Sequence, residues 1–70
     1  MESVLKRSRE QFGMTLEHAA RHLRISPGYL LQIENGRRGV GVPRALQIAE
    51  LYGMEKEELF VPIRFTARIL

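Results

Sequence analysis

The chain has 70 residues and no cysteine, so no disulfide framework can staple it, and no apolar run approaches the roughly 20 residues that span a bilayer. A single domain of this size buries only about 60% of its unfolded surface, which calls for tight helix packing or a partner. Eleven basic side chains against eight acidic ones give a formal net charge of +3, and the excess lies before Ala49: Lys6, Arg7, Arg9, Arg21, Arg24, Arg37, Arg38 and Arg44 oppose only Glu2, Glu10, Glu17 and Glu34, which favours nucleic acid over an acidic protein or a membrane surface.

The opening MESVLKRSREQ is charged from its second residue, unlike a secretory leader, so the expected compartment is the cytoplasm. Glu2 to Phe12 contains neither Gly nor Pro and predicts a first helix, stopped at Gly13. Thr15 is placed to cap a second helix, with Glu17 in its favourable first turn and Ala19, Ala20 and Leu23 on one face. Ser26 then caps a third helix, and Pro27 takes the first helical position, where its missing N–H costs nothing. Leu30 and Ile33 point inward, and Asn35-Gly36 ends the helix. Arg37 to Gly41 reads as a basic loop flanked by glycine. A fourth helix is expected from about Val42 to Tyr52, with Val42, Leu46 and Ala49 on its inner face, and a short fifth from about Glu55 to Phe60. Beyond Pro62, Ile63, Phe65, Ala67 and Ile69 alternate with Arg64, Thr66 and Arg68, the period of an extended strand. A lone strand needs a partner, so residues 61–70 are read as a dimerisation strand that buries Ile63, Phe65 and Ile69 against a second copy; the alternative is a tail folded back on its own bundle. Residues 1–60 then form one all-α domain.

The stretch from Thr15 to Gly36 carries the functional signal. Ala20 is small enough for two helices to cross closely, and Leu23, Ile25, Leu30 and Ile33 can hold the crossing. The third helix would present its N-terminus outward, in a form that a major groove about 12 Å wide admits. Arg9, Gly13-Met14-Thr15, Ala20, Ile25-Ser26, Tyr29-Leu30, Ile33 to Gly36, and Leu46 to Ala49 with Gly53 together resemble the phage-repressor-like (XRE/Cro-type) helix-turn-helix family over about Val4 to Phe60. That resemblance implies a compact five-helix repressor-like bundle that binds double-stranded operator DNA as a homodimer and regulates transcription. It also implies an ion pair of Arg9 with Glu34 that ties the first helix to the end of the third.

Several positions depart from that family. Arg24 stands where the family commonly has glycine, which predicts a positive φ at Arg24. Ser8 and Ala19 are small where the family is usually leucine-like, and Phe12 or Tyr52 is expected to fill the space. The family's base-reading positions fall here on Pro27, Gly28 and Gln32. Gln32 can contact adenine bidentately, Pro27 can touch a thymine methyl, and Gly28 permits close backbone approach. Thr15, Leu16, Ser26 and Tyr29 complete the expected DNA face, with Arg37, Arg38 and Arg44 gripping phosphates or a minor groove. The rival reading turns the same fold toward a protein partner, as an antirepressor or antitoxin-like module, through an apolar patch of Leu16, Pro27 and Leu31.

Other chemistry finds little support. His18 and His22 have a zinc-compatible spacing but no third ligand close by in sequence. Aspartate is absent, and no serine has a His and acid at recognisable spacing, so no enzyme activity, metal or cofactor is expected, and no small-molecule ligand.

Overall fold

Side-chain caps mark where α1, α2, α3 and α5 begin. The computed structural model describes residues 2–62 and 65–70. It contains α1 (Val4–Gln11), α2 (Leu16–Leu23), α3 (Pro27–Glu34), α4 (Val42–Tyr52) and α5 (Lys56–Leu59), then two short strands, β1 (Phe60–Val61) and β2 (Thr66–Ala67). The Ser3 hydroxyl oxygen accepts from the Lys6 N–H, Thr15 from His18, and Ser26 from Tyr29, each at 3.0–3.1 Å. Caps of this kind contribute about 1 kcal/mol each. Because Ser3 takes the cap, α1 starts at Val4 rather than at Glu2. Pro27 opens α3 as expected, and Glu55 and Glu58 form a reciprocal capping box at α5.

Four helices end in the same way. After α1, α3 and α4, a glycine in the left-handed region donates its N–H to the carbonyl three residues back, and the next N–H reaches the carbonyl five back. After α2 the same two bonds run from Arg24 to Arg21 and from Ile25 to Ala20, with Arg24 at φ +59°. The positive φ expected at Arg24 is therefore present, and Arg24 is the only one of the four that is not glycine.

The core gathers Leu5, Ala19, Ala20, Leu23, Leu30, Ile33, Ala45, Ile48, Ala49, Tyr52, Leu59, Phe60 and Ala67. Helix α4 departs from expectation. Its buried row is Ala45, Ile48, Ala49 and Tyr52, while Val42 and Leu46 are exposed. The row through Ile48 and Tyr52 hides the larger side chains, and α5 packs against α4 on the far side of the Gly53 turn. Of the two aromatic rings, Tyr52 is buried and Phe12 is exposed. They meet edge to face with centroids 6.0 Å apart.

The tail corrects a second expectation. It is not a lone strand awaiting another chain. Phe60 pairs with Ala67 and Val61 with Thr66, antiparallel, and Ile69 bridges to Ser3. Val4 N–H donates to the Arg68 carbonyl and Arg68 N–H to that of Leu59. The alternation breaks at Phe65, whose φ is +45°, so the chain turns back on itself instead of running on extended. Phe65 packs against its own core, Ala67 is buried, Ile69 is exposed, and Ile63 lies outside the described residues.

Candidate nucleic-acid interface

Helices α2 and α3 cross on small and aliphatic side chains. Ala20 is 1% exposed at the crossing, with Leu23, Leu30 and Ile33 buried around it. The left-handed turn at Arg24 sets the angle between the helices, and half-buried Ile25 packs beneath it. Arg9 locks the arrangement. Its Nε donates to Glu34 Oε2 at 2.7 Å and its Nη2 to Oε1 at 3.3 Å, while Nη1 donates to the Met14 carbonyl at 2.9 Å. One guanidinium thus joins α1, the loop before α2 and the end of α3. The bonds to the Glu34 carboxylate hold the Arg9 pKa above its ordinary value, against the opposing effect of burial.

This clamp leaves one side of α3 facing outward. Pro27, Gly28, Leu31 and Gln32 are exposed there, as are Thr15 and Ser26 at the starts of α2 and α3. The two hydroxyl oxygens accept cap bonds, so each O–H is still available to donate. A methyl group at Gly28 would meet nothing within 4 Å, so packing inside the protein does not demand glycine at that position. Leu16 is half-buried against the core, whereas Leu31 is exposed.

The three arginines expected on this face have different surroundings. Arg37 is exposed and takes part in no ion pair among the described residues. Arg38 donates from Nε to Gln32 Oε1 at 3.2 Å, with its Cζ 5.4 Å from the centre of the Tyr29 ring. Arg44 is half-buried. Its Nη1 donates to the Leu23 carbonyl at 3.0 Å and to Gln47 Oε1 at 2.8 Å. Arg44 therefore caps the end of α2 from α4, a structural duty not anticipated when it was read as a phosphate grip. Its neighbours form an open groove lined by Tyr29, Gly41, Pro43, Arg44 and Gln47. Nothing in the sequence places Gly41, Pro43 and Gln47 beside Tyr29, because only the return of the α3–α4 loop brings them there. The Gln32–Arg38 bond was equally hidden, since it depends on the turn at Gly36.

The His18 and His22 rings lie tilted to one another with centroids 5.0 Å apart, and no group of three or more potential metal ligands occurs among the described residues. No helix among those residues is long and apolar enough to cross a membrane.

Comparison with known proteins agrees with this geometry. A family model described as a helix-turn-helix domain matches residues 3–61. Two crystal structures of the clp gene regulator ClgR from Corynebacterium glutamicum are similar. One has a TM-score of 0.70 at 31% identity, covering 77% of this chain and 57% of that one. The other has a TM-score of 0.68 at 31% identity, covering 77% of this chain and 70% of that one. No curated protein matches the sequence.

Proposed function

The chain belongs to the helix-turn-helix domain family, and from that premise we propose that it is a cytoplasmic, sequence-specific DNA-binding regulator of transcription, not an enzyme, that represses by occupying operator DNA as a dimer. The observation that carries this reading is the exposed face of α3. Pro27, Gly28 and Gln32 are exposed, and so are Thr15 and Ser26 at the starts of α2 and α3 and Arg37 just after α3. The regulatory role of the two similar ClgR structures supports the same conclusion. In the proposed complex each α3 enters a major groove, with half-sites about 34–36 Å apart. Arg37 neutralises phosphate, Gln32 reads a base edge, and Pro27 and Gly28 allow close approach.

Dimer formation is proposed through exposed apolar side chains of the tail hairpin, Val61, Ile69 and Leu70, since the tail's backbone bonds are made within the chain. Ile69→Lys should then lower the mass seen by light scattering to that of the monomer. An unchanged dimer mass would place the interface elsewhere.

Binding is tested by gel shift with pooled random duplex at two salt concentrations, followed by selection. Arg37→Ala should weaken every sequence alike and flatten the salt slope, whereas Gln32→Ala should relax preference at one base pair by about 1–3 kcal/mol. Equal loss on selected and random DNA for Gln32→Ala would refute its reading role. The exposure of Leu31 beside Pro27 favours a second reading, in which a protein partner docks on this face. Absence of any shift at low salt would favour that partner.

A further inference from the structure

Of the four helices that end in a left-handed residue, three use glycine, which adopts that conformation without strain. Arg24 adopts it at φ +59° with a full side chain, at an energetic cost that glycine would avoid. Nothing within the chain offsets that cost. The Arg24 side chain is exposed and takes part in no hydrogen bond or ion pair among the described residues. The end of α2 does not call for it either. The Arg21 and Ala20 carbonyls accept from the backbone N–H groups of Arg24 and Ile25, and the Leu23 carbonyl accepts from Arg44. Arg21 already sets a cation in the last turn against the helix dipole.

The place of the residue in the turn supplies a reason. Arg24 stands two residues before Ser26, the N-cap of α3, so their Cα atoms are at most about 7.6 Å apart. The two backbone bonds that close the turn, with Ile25 packed beneath it, fix where the Arg24 side chain starts. A major groove is about 12 Å wide, so a helix N-terminus seated in it has phosphates about 6 Å to either side. A guanidinium at the end of a long aliphatic stem, rooted beside the α3 N-cap, can span such a distance, and its fork of donors matches a phosphate.

We infer that Arg24 is a phosphate-binding residue of the DNA interface, held by the strained turn at the edge of the groove that α3 enters. Glycine would close the same turn with less strain but would bring no cation to it. The contact is with the DNA backbone, so it adds affinity for every sequence and no preference among bases. This inference rests on the DNA-binding reading proposed above.

The test compares the purified wild-type chain with Arg24→Gly, Arg24→Asn and Arg24→Lys by gel shift on a selected duplex and on pooled random duplex, at about 50 and about 200 mM salt. Glycine and asparagine both accept the left-handed turn, and melting temperatures recorded alongside separate lost binding from lost folding. Arg24→Gly and Arg24→Asn should bind both duplexes more weakly than wild type. Loss of one phosphate contact should shrink the ratio of wild-type to variant affinity by about 3.5-fold between the two salt concentrations. Arg24→Lys, which keeps the cation, should keep the wild-type salt slope. Wild-type affinity and slope in Arg24→Gly overturn the inference, as does a loss confined to the selected duplex. Those results leave DNA binding intact. Failure of the wild type to bind any duplex would instead remove the DNA reading itself, and this inference with it.

Discussion

Tyr52 offers a sharp test of the core because its ring and its hydroxyl pull in opposite directions. The residue is 6% exposed, and its ring is packed among buried aliphatic neighbours and touched edge-on by Phe12. Its Oη is buried and has no hydrogen-bond partner among the described residues. An unsatisfied buried hydroxyl costs about 1–3 kcal/mol, and replacing it with hydrogen leaves the packing in place. Tyr52→Phe should therefore raise stability at pH 7 by about 1 kcal/mol, or about 4–8 °C in a domain of this size. The same environment perturbs titration. Burial, helped by the nearby Glu34 charge and opposed by Arg9, pushes the Tyr52 pKa from its ordinary value of 10 up to about 12. Between those values the unfolded chain has released the phenol proton and the folded chain has kept it. Stability must then fall with rising pH across that window, by about 1 kcal/mol at pH 11. In the variant this alkaline decline disappears, so its advantage over wild type should widen from pH 9 to pH 11. Urea melts followed by circular dichroism at pH 7, 9 and 11 measure both effects. A variant that is destabilised by 1 kcal/mol or more at pH 7 would show that the hydroxyl has a partner, and a gap that does not change with pH would refute the titration.

Three further outcomes follow from the clamp, the turn and the reading helix. Arg9→Met should cost about 3–5 kcal/mol, because it leaves the Glu34 carboxylate buried without its partner, whereas Arg9→Met with Glu34→Leu should recover much of the loss; a double change as damaging as the single one would refute the pairing energetics. Arg24→Gly should stabilise by about 0.5–1 kcal/mol, the relief of a left-handed non-glycine residue less the added freedom of glycine in the unfolded chain, and a lowered melting temperature would mean that the Arg24 side chain contributes something of its own. Gly28→Ala places a methyl group with nothing within 4 Å of it among the described residues outside its own helix turn, and should leave the melting temperature unchanged or slightly raised while weakening binding to the selected DNA site; full affinity would remove Gly28 from the contact surface.

What could be read from the sequence was what local chemistry decides. Thr15, Ser26 and Pro27 each act within a few residues of themselves, so the starts of α2 and α3 were legible, and Gly13, Gly36 and Gly53 marked three ends by the backbone conformation they tolerate. The turn at Arg24 was legible only because its neighbours matched a known pattern. On helix α4 Ala49 is buried as expected, but Val42 and Leu46 are exposed; they were misjudged because they look as apolar as the row of Ala45, Ile48 and Tyr52 that packs inward beside α5. The tail was misjudged for a related reason. Alternation reports an extended chain but not its partner, and the partners proved to be β1 and the segment before α1.

The arginines extend this point from fold to function. Arg37, Arg38 and Arg44 are alike in sequence, each a cation close to the end of α3 or the start of α4. Hydrogen bonds between distant elements give them different duties. Arg44 is bound to the last carbonyl of α2, Arg38 is bound to the amide of Gln32, and Arg37 is in no ion pair among the described residues. Charge alone would assign all three to phosphate. Donor and acceptor accounting separates them: Arg44 also caps α2 and Arg38 also binds the Gln32 amide, so part of each guanidinium is engaged within the chain. A change that lengthened the turn at Gly36 should carry Arg38 away from Gln32 and, on the proposed DNA-binding reading, alter affinity for the selected site without touching any residue of α3, which a gel shift measures.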